Sequence, residues 1–228
     1  RLYFVEPRRS SFLQFLSRAP SNSHSLAVTR EVNASTQFEE LELTRLWRKL
    51  FSETTNNNTN KKTQYPRYVD VILPDTWVRH FLVQIPGNIK NRNDIQAAVQ
   101  RRFEALYDDN VQDWVLKLDL RLNGKSLVCA IPKALQNCLE KNAHQYKQSF
   151  LSIQSNFVQL WNAERHFKLE FAWVLVCDGE TMTLAIVANH AWQFIRQISL
   201  PISADMGMND LYACISKEAM MLGVTMPE

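Results

Sequence analysis

Glycine is scarce: five residues in 228, too few and too scattered to build a glycine-rich phosphate loop of the P-loop or dinucleotide type. The four cysteines, Cys129, Cys138, Cys177 and Cys214, lack the two-residue spacing of a zinc or dithiol motif. Their usage suits a reducing compartment. The histidines at 24, 80, 144, 166 and 190 have no HExxH spacing, and no serine stands in a G-x-S-x-G context. The longest unbroken apolar run, residues 171–177, is far too short to span a bilayer. A dense basic stripe is missing as well. The net charge is +3, with +5 over residues 1–67, +2 over 68–150 and −4 over 151–228. Basic doublets such as Arg8-Arg9, Lys61-Lys62 and Arg101-Arg102 lie far apart, so the expectation is no nucleic-acid partner.

What is present is a globular composition: 46% hydrophobic residues, 12 Phe, six Trp and six Tyr, enough for a sizeable core. Residues 2–5 and 12–16 read as two strands joined around Pro7-Arg8-Arg9, and residues 25–32 as a third. Thr36-Gln37-Phe38-Glu39 is a capping box. The helix after it carries Leu43, Leu46, Trp47 and Leu50 at helical spacing. Residues 52–64 are polar, with four Asn and two Lys, and read as a loop. Residues 69–73 form an apolar strand closed by Pro74-Asp75, and residues 77–85 another.

A second helix starts at Asn93 with the stripe Ile95, Val99, Phe103 and Leu106. Residues 114–122 alternate as a strand, Asn123-Gly124 signals a tight hairpin, and 126–131 return. Pro132 opens a third helix. A short strand (150–153) and a short helix (157–163) follow. Three strands then come in succession (171–177, 182–188 and 192–200), and a helix from about 209 closes at Gly223.

A β-β-β-α unit near each end with an α+β insert between them resembles the ribonuclease-H-like, or actin-like, α/β fold of mixed sheets. Three stretches sharpen the likeness. Residues 95–118 look like the inserted subdomain of the type IV pilus assembly M protein and of the cell-division actin homologue. Cys129-Ala130-Ile131-Pro132-Lys133, a helix and Leu151-Ser152-Ile153 look like the return of that insert to the core. Residues 173–187, with Asp178-Gly179-Glu180-Thr181 at their turn, resemble the second phosphate hairpin, followed by Phe194-Ile195-Arg196-Gln197-Ile198. The resemblance is to the actin-like ATPase superfamily, of the pilus M protein and type II secretion protein L cytoplasmic-domain type. It implies a first subdomain core at 1–76, an inserted α+β subdomain at 77–148, and a return strand with the start of a second subdomain at 149–228.

Actin-like ATPases hold nucleotide between two hairpins whose acids and glycines serve Mg²⁺ and phosphate. Here the first hairpin, residues 5–11, has no glycine, and Pro7 removes a backbone donor. The second retains Asp178, Gly179 and Thr181 as degenerate nucleotide contacts. The expectation is therefore no ATP or Mg²⁺, no catalytic or metal-ligating residue, and a bacterial scaffold that has lost catalysis. A nucleotide-binding ATPase with divergent loops is the alternative.

In the families resembled, such a domain lies at the cytoplasmic face of the inner membrane without a span of its own. It binds pilus or secretion assembly proteins, the secretion ATPase among them, or a second copy of itself. The insert is the expected partner surface, with Trp77, Phe81, Trp114 and the Arg101-Arg102 pair as anchors, by groove binding or strand addition.

Overall fold

The computed structural model describes residues 2–5, 12–17, 30–33, 39–52, 68–87, 89, 91–121, 124–164, 171–178, 181–200 and 208–223. In chain order the strands are β1 (Leu2–Val5), β2 (Phe12–Ser17), β3 (Arg30–Asn33), β4 (Tyr68–Leu73), β5 (Arg79–Gln84), β6 (Trp114–Asp119), β7 (Lys125–Pro132), β8 (Ser149–Ser155), β9 (Phe171–Asp178), β10 (Thr181–Ala188) and β11 (Ala191–Ser199). The helices are α1 (Glu40–Ser52), α2 (Arg92–Tyr107), α3 (Lys133–Gln145), α4 (Asn156–Glu164) and α5 (Met208–Leu222).

One sheet runs β1-β9-β10-β11-β7-β5, with β6 also paired to β7; the other runs β3-β2-β4-β8. The β9-β10-β11 meander followed by α5 is the second repeat expected from the sequence. β9 and β10 are buried on both faces, which is why they read as unbroken apolar runs rather than alternating ones, whereas β11 is only partly buried. Trp173, Leu175, Met182, Leu184 and Ile186 face α5, while Val174, Val176, Ala185 and Val187 pack with Phe157 of α4. The β10–β11 joint is Asn189-His190, both with left-handed backbone (φ 50° and 60°), the geometry of a two-residue hairpin turn.

The first repeat departs from expectation. β1 and β2 do not form a hairpin: β1 pairs in parallel with β9, Leu2 opposite Trp173 through Val5 opposite Val176, while β2 pairs with β3 and β4 in the other sheet. An all-apolar strand is suited to a parallel neighbour buried on both faces. Asn123-Gly124 does join two paired strands, but the last β6–β7 pair is Asp119 with Leu127, so the connection is wider than a two-residue turn. Ser126 closes its base by accepting from the Arg121 amide at 2.9 Å.

Helix ends follow their caps. The Asn91 side chain accepts from Asn93 N at 3.0 Å to start α2, and Asp108 ends it in left-handed backbone at φ 52°. Gly223, at φ 63°, terminates α5. α3, placed within 77–148 by the sequence reading, packs on α1: Leu135, Cys138 and Leu139 share a cluster with Leu43, Trp47 and the buried residues of β4. α2 covers one face of β5, β7 and β6 through Val99 and Phe103. The polar stretch 53–64 and residues 6–11, between β1 and β2, lie outside the described residues.

Candidate functional site

Among the described residues, two strand edges border a groove. β8 ends the four-stranded sheet, and β6 pairs with β7 alone. Between β8 and the β6–β7 face lies a groove of about 1020 Å³. It is lined by six consecutive residues, 150–155, by Val158 and Trp161 of α4, and by Leu127, Cys129 and Ile131 of β7. Lys117, Asp119, Arg121, Gln136 and His190 add polar groups to the lining, and Trp192 is part of it as well. Trp161 lies 4.4 Å from Trp192 between ring centroids, and the Trp192 indole N–H is buried without an acceptor. An edge strand beside an apolar trough is built to take an extended chain: the unpaired N–H and C=O groups give affinity, the trough gives side-chain selection.

The groove wall is fixed by a buried carboxylate. Asp75, 0% exposed, sits in a short 3-10 turn (Asp75–Trp77) after β4. One of its oxygens accepts from the Phe157 amide in the first turn of α4 at 3.0 Å, the other from Thr183 Oγ1 of β10 at 3.2 Å. The side chain of Gln197 on β11 donates to the Asp75 and Val78 carbonyls, each at 2.7 Å. Ser155 Oγ accepts from the Val158 amide at 3.2 Å, capping α4, and lies 2.7 Å from His80 Nε2.

Burial drives His80 down from 6.5 to about 3, so it stays neutral. Burial, then Asp75 and Asp119, pushes the Cys129 thiol up to about 12, leaving it inert as a nucleophile.

The sequence-predicted anchors fall in different places. Trp77 (7% exposed) and Phe81 (2%) are core residues in separate clusters, which corrects their assignment as surface anchors. Trp114 is half-buried and carries the Arg79 guanidinium 4.3 Å from its ring, with Tyr107 at 4.5 Å; Arg79 also pairs with Asp109. Arg101 and Arg102 are exposed on α2 and line neither this groove nor its neighbour beyond β6. Asp178 ends β9 opposite Thr181 at the start of β10, Thr181 is half-buried, and Gly179 lies outside the described residues.

Asp75 was read only as a turn residue. Its partners lie 82, 108 and 122 positions on, so no local signal marks it. The described residues contain no group of three metal-ligating side chains, and no described helix is long and apolar enough to cross a membrane.

No protein-family model and no curated protein matches the chain. Solved structures do. A Bacteroides thetaiotaomicron protein with actin-like ATPase fold and unknown function superposes with a TM-score of 0.55 at 11% identity, over 94% of this chain and 74% of that one. A PilM-PilN type IV pilus biogenesis complex gives 0.55 at 15% identity, over 84% of this chain and 57% of that one. The cytoplasmic domain of EpsL, an inner-membrane component of the Vibrio cholerae type II secretion system, gives 0.46 at 9%, over 77% and 63%. The first two likenesses show the fold: this chain has the actin-like ATPase fold.

Removing the carboxylate as Asp75→Ala leaves the Phe157 amide and Thr183 hydroxyl without their acceptor. The expected cost is about 3 kcal/mol in a urea titration, with Asp75→Asn intermediate. A loss under about 0.5 kcal/mol would show that the sheets hold together without it. His80 gives a pH test. Its folded pKa is depressed, so the unfolded chain takes up the proton first. Its share of stability is intact above pH 6.5 and falls as pH drops toward about 3, by up to about 1.4 kcal/mol per pH unit. Between pH 7 and 5, His80→Asn is expected to show a shallower decline than wild type; equal slopes would contradict the assignment.

Proposed function

We propose that this chain is a non-catalytic scaffold of a bacterial inner-membrane assembly platform, of the type IV pilus or type II secretion kind, working at the cytoplasmic face. The groove along β8 holds an extended cytoplasmic segment of a membrane protein of that platform. The observation that carries this reading is the run of residues 150–155 along an open strand edge, facing an apolar trough of about 1020 Å³. A segment laid there pairs its backbone with β8 and sends alternate side chains toward Leu127, Ile131 and Trp161. Fold kinship with a chain of a two-protein pilus biogenesis complex supports it. The scaffold links that segment to cytoplasmic components of the machine, the secretion ATPase among them.

The test is capture of the cytoplasmic segments of the platform's membrane proteins. Leu151→Glu with Trp161→Ala is expected to weaken capture at least about tenfold, about 1.4 kcal/mol. Leu151 is half exposed and Trp161 lies on the groove wall, so the fold should survive. Arg101→Glu with Arg102→Glu is expected to leave capture unchanged. If the arginine pair abolishes capture and the groove variant binds normally, the surface is the outer face of α2 instead.

The scaffold holds no nucleotide. Asp178, Gly179 and Thr181 are remnants, and millimolar Mg-ATP is expected to leave the melting temperature unmoved. A ligand at 100 times its Kd would add about 2.7 kcal/mol. An upward shift specific to ATP, lost in Asp178→Ala, would favour an ATPase.

A further inference from the structure

Beyond β6, on the side covered by α2, lies a second groove of about 780 Å³. Ile95, Val99, Leu116 and Leu118 form its apolar floor. Its lining includes Arg92, Lys117 and Lys133 and no carboxylate.

The three cations are strung along the strand rather than gathered at a point. Lys133 donates to the Gln112 carbonyl at 2.8 Å, which places it near the start of β6. Lys117 is on β6 itself, on the face opposite Leu116 and Leu118. The far end of α2 packs on Trp114, with Phe103 at 5.4 Å, so Arg92 in its first turn marks the other end of the groove. Asp119 shares a face with Lys117 and is 3.9 Å from Arg121. Six residues of β6 span roughly 20 Å.

We propose that the open edge of β6 is a second docking site, taking a strand-forming protein segment in which acidic and apolar residues alternate. Added beside β6, such a segment turns its apolar residues toward Leu116, Leu118 and α2. Its acids meet Lys117 on the other face, and Lys133 near the start of the strand and Arg92 on the α2 side at its end attract the acids that flank the paired stretch. Cations spaced along a strand's length fit an extended acidic chain; a compact anion reaches one of them at a time. Lys117 and Leu118 line both grooves, whereas Arg92 and Lys133 line only the second, so substituting that pair tests this site apart from the β8 groove. A chain with both edges filled joins two partners across the β6–β7 layer.

The probe is a fluorescein-labelled nine-residue peptide alternating Glu and Val, read by anisotropy against the whole chain. A Lys/Val peptide and a Glu/Val peptide N-methylated at alternate positions serve as controls. The Glu/Val peptide is expected to bind, to weaken at least about tenfold between 50 and 300 mM NaCl, and to lose about tenfold in Arg92→Glu/Lys133→Glu. The N-methylated peptide is expected to fail, because it cannot complete the ladder. In the same double variant, capture at the β8 groove is expected to be unchanged, so the two readings fail separately. The proposal is overturned if the Glu/Val peptide does not bind, if the charge reversal leaves its affinity intact, or if N-methylation makes no difference. It is also overturned if only phosphatidylserine vesicles respond to the reversal, which would make the surface a lipid contact.

Discussion

A carboxylate shut away from water must be met by donors, and those that meet Asp75 come from parts of the chain far apart in sequence. Phe157 supplies the amide of a helix start, Thr183 a hydroxyl from β10, and Gln197 ties down the neighbouring backbone from β11. The turn after β4 is thereby pinned to the other sheet, with α4 held between them. A buried acid costs free energy unless so satisfied, which makes the geometry nearly all-or-none. It also sets the groove: the helix whose first turn Asp75 holds carries Val158 and Trp161 on the groove wall, and Ser155, its cap, is the last residue of β8.

Local chemistry made most elements legible in the sequence. Pro132 before α3 and Gly223 after α5 punctuate helices as their backbone requirements dictate, the start of α2 was read at Asn93, two residues past its cap Asn91, and the apolar runs of β9 and β10 are those of strands buried on both faces. The parallel pairing of β1 with β9 was not legible, because strands some 170 positions apart leave no pattern within either one. The Asn-Gly dipeptide marks a reversal without fixing its width, which Ser126 and Arg121 decide.

The site was only half legible. The sequence pointed to the insert as the partner surface, whereas residues 150–153 were read only as a strand returning the chain to the core. Its wrong anchors have a physical cause: Trp77 and Phe81 are large aromatics that carry the same pattern whether they fill a core or face a partner, and here both are buried. The edge character of β6 and β8 follows from which strands pair, a tertiary fact. Asp75 looked like any acid after a proline.

Two strand edges beside apolar troughs among the described residues make backbone pairing the working principle of the proposed function. Amide hydrogen exchange tests that most directly, comparing the free chain with its complex with a platform membrane protein. Strand addition predicts slowed exchange at alternate amides of residues 150–155, the period of a newly paired edge, with β4 and β10 unchanged. Unaltered exchange along β8, with protection instead on the exposed face of α2 or around residues 178–181, would contradict it.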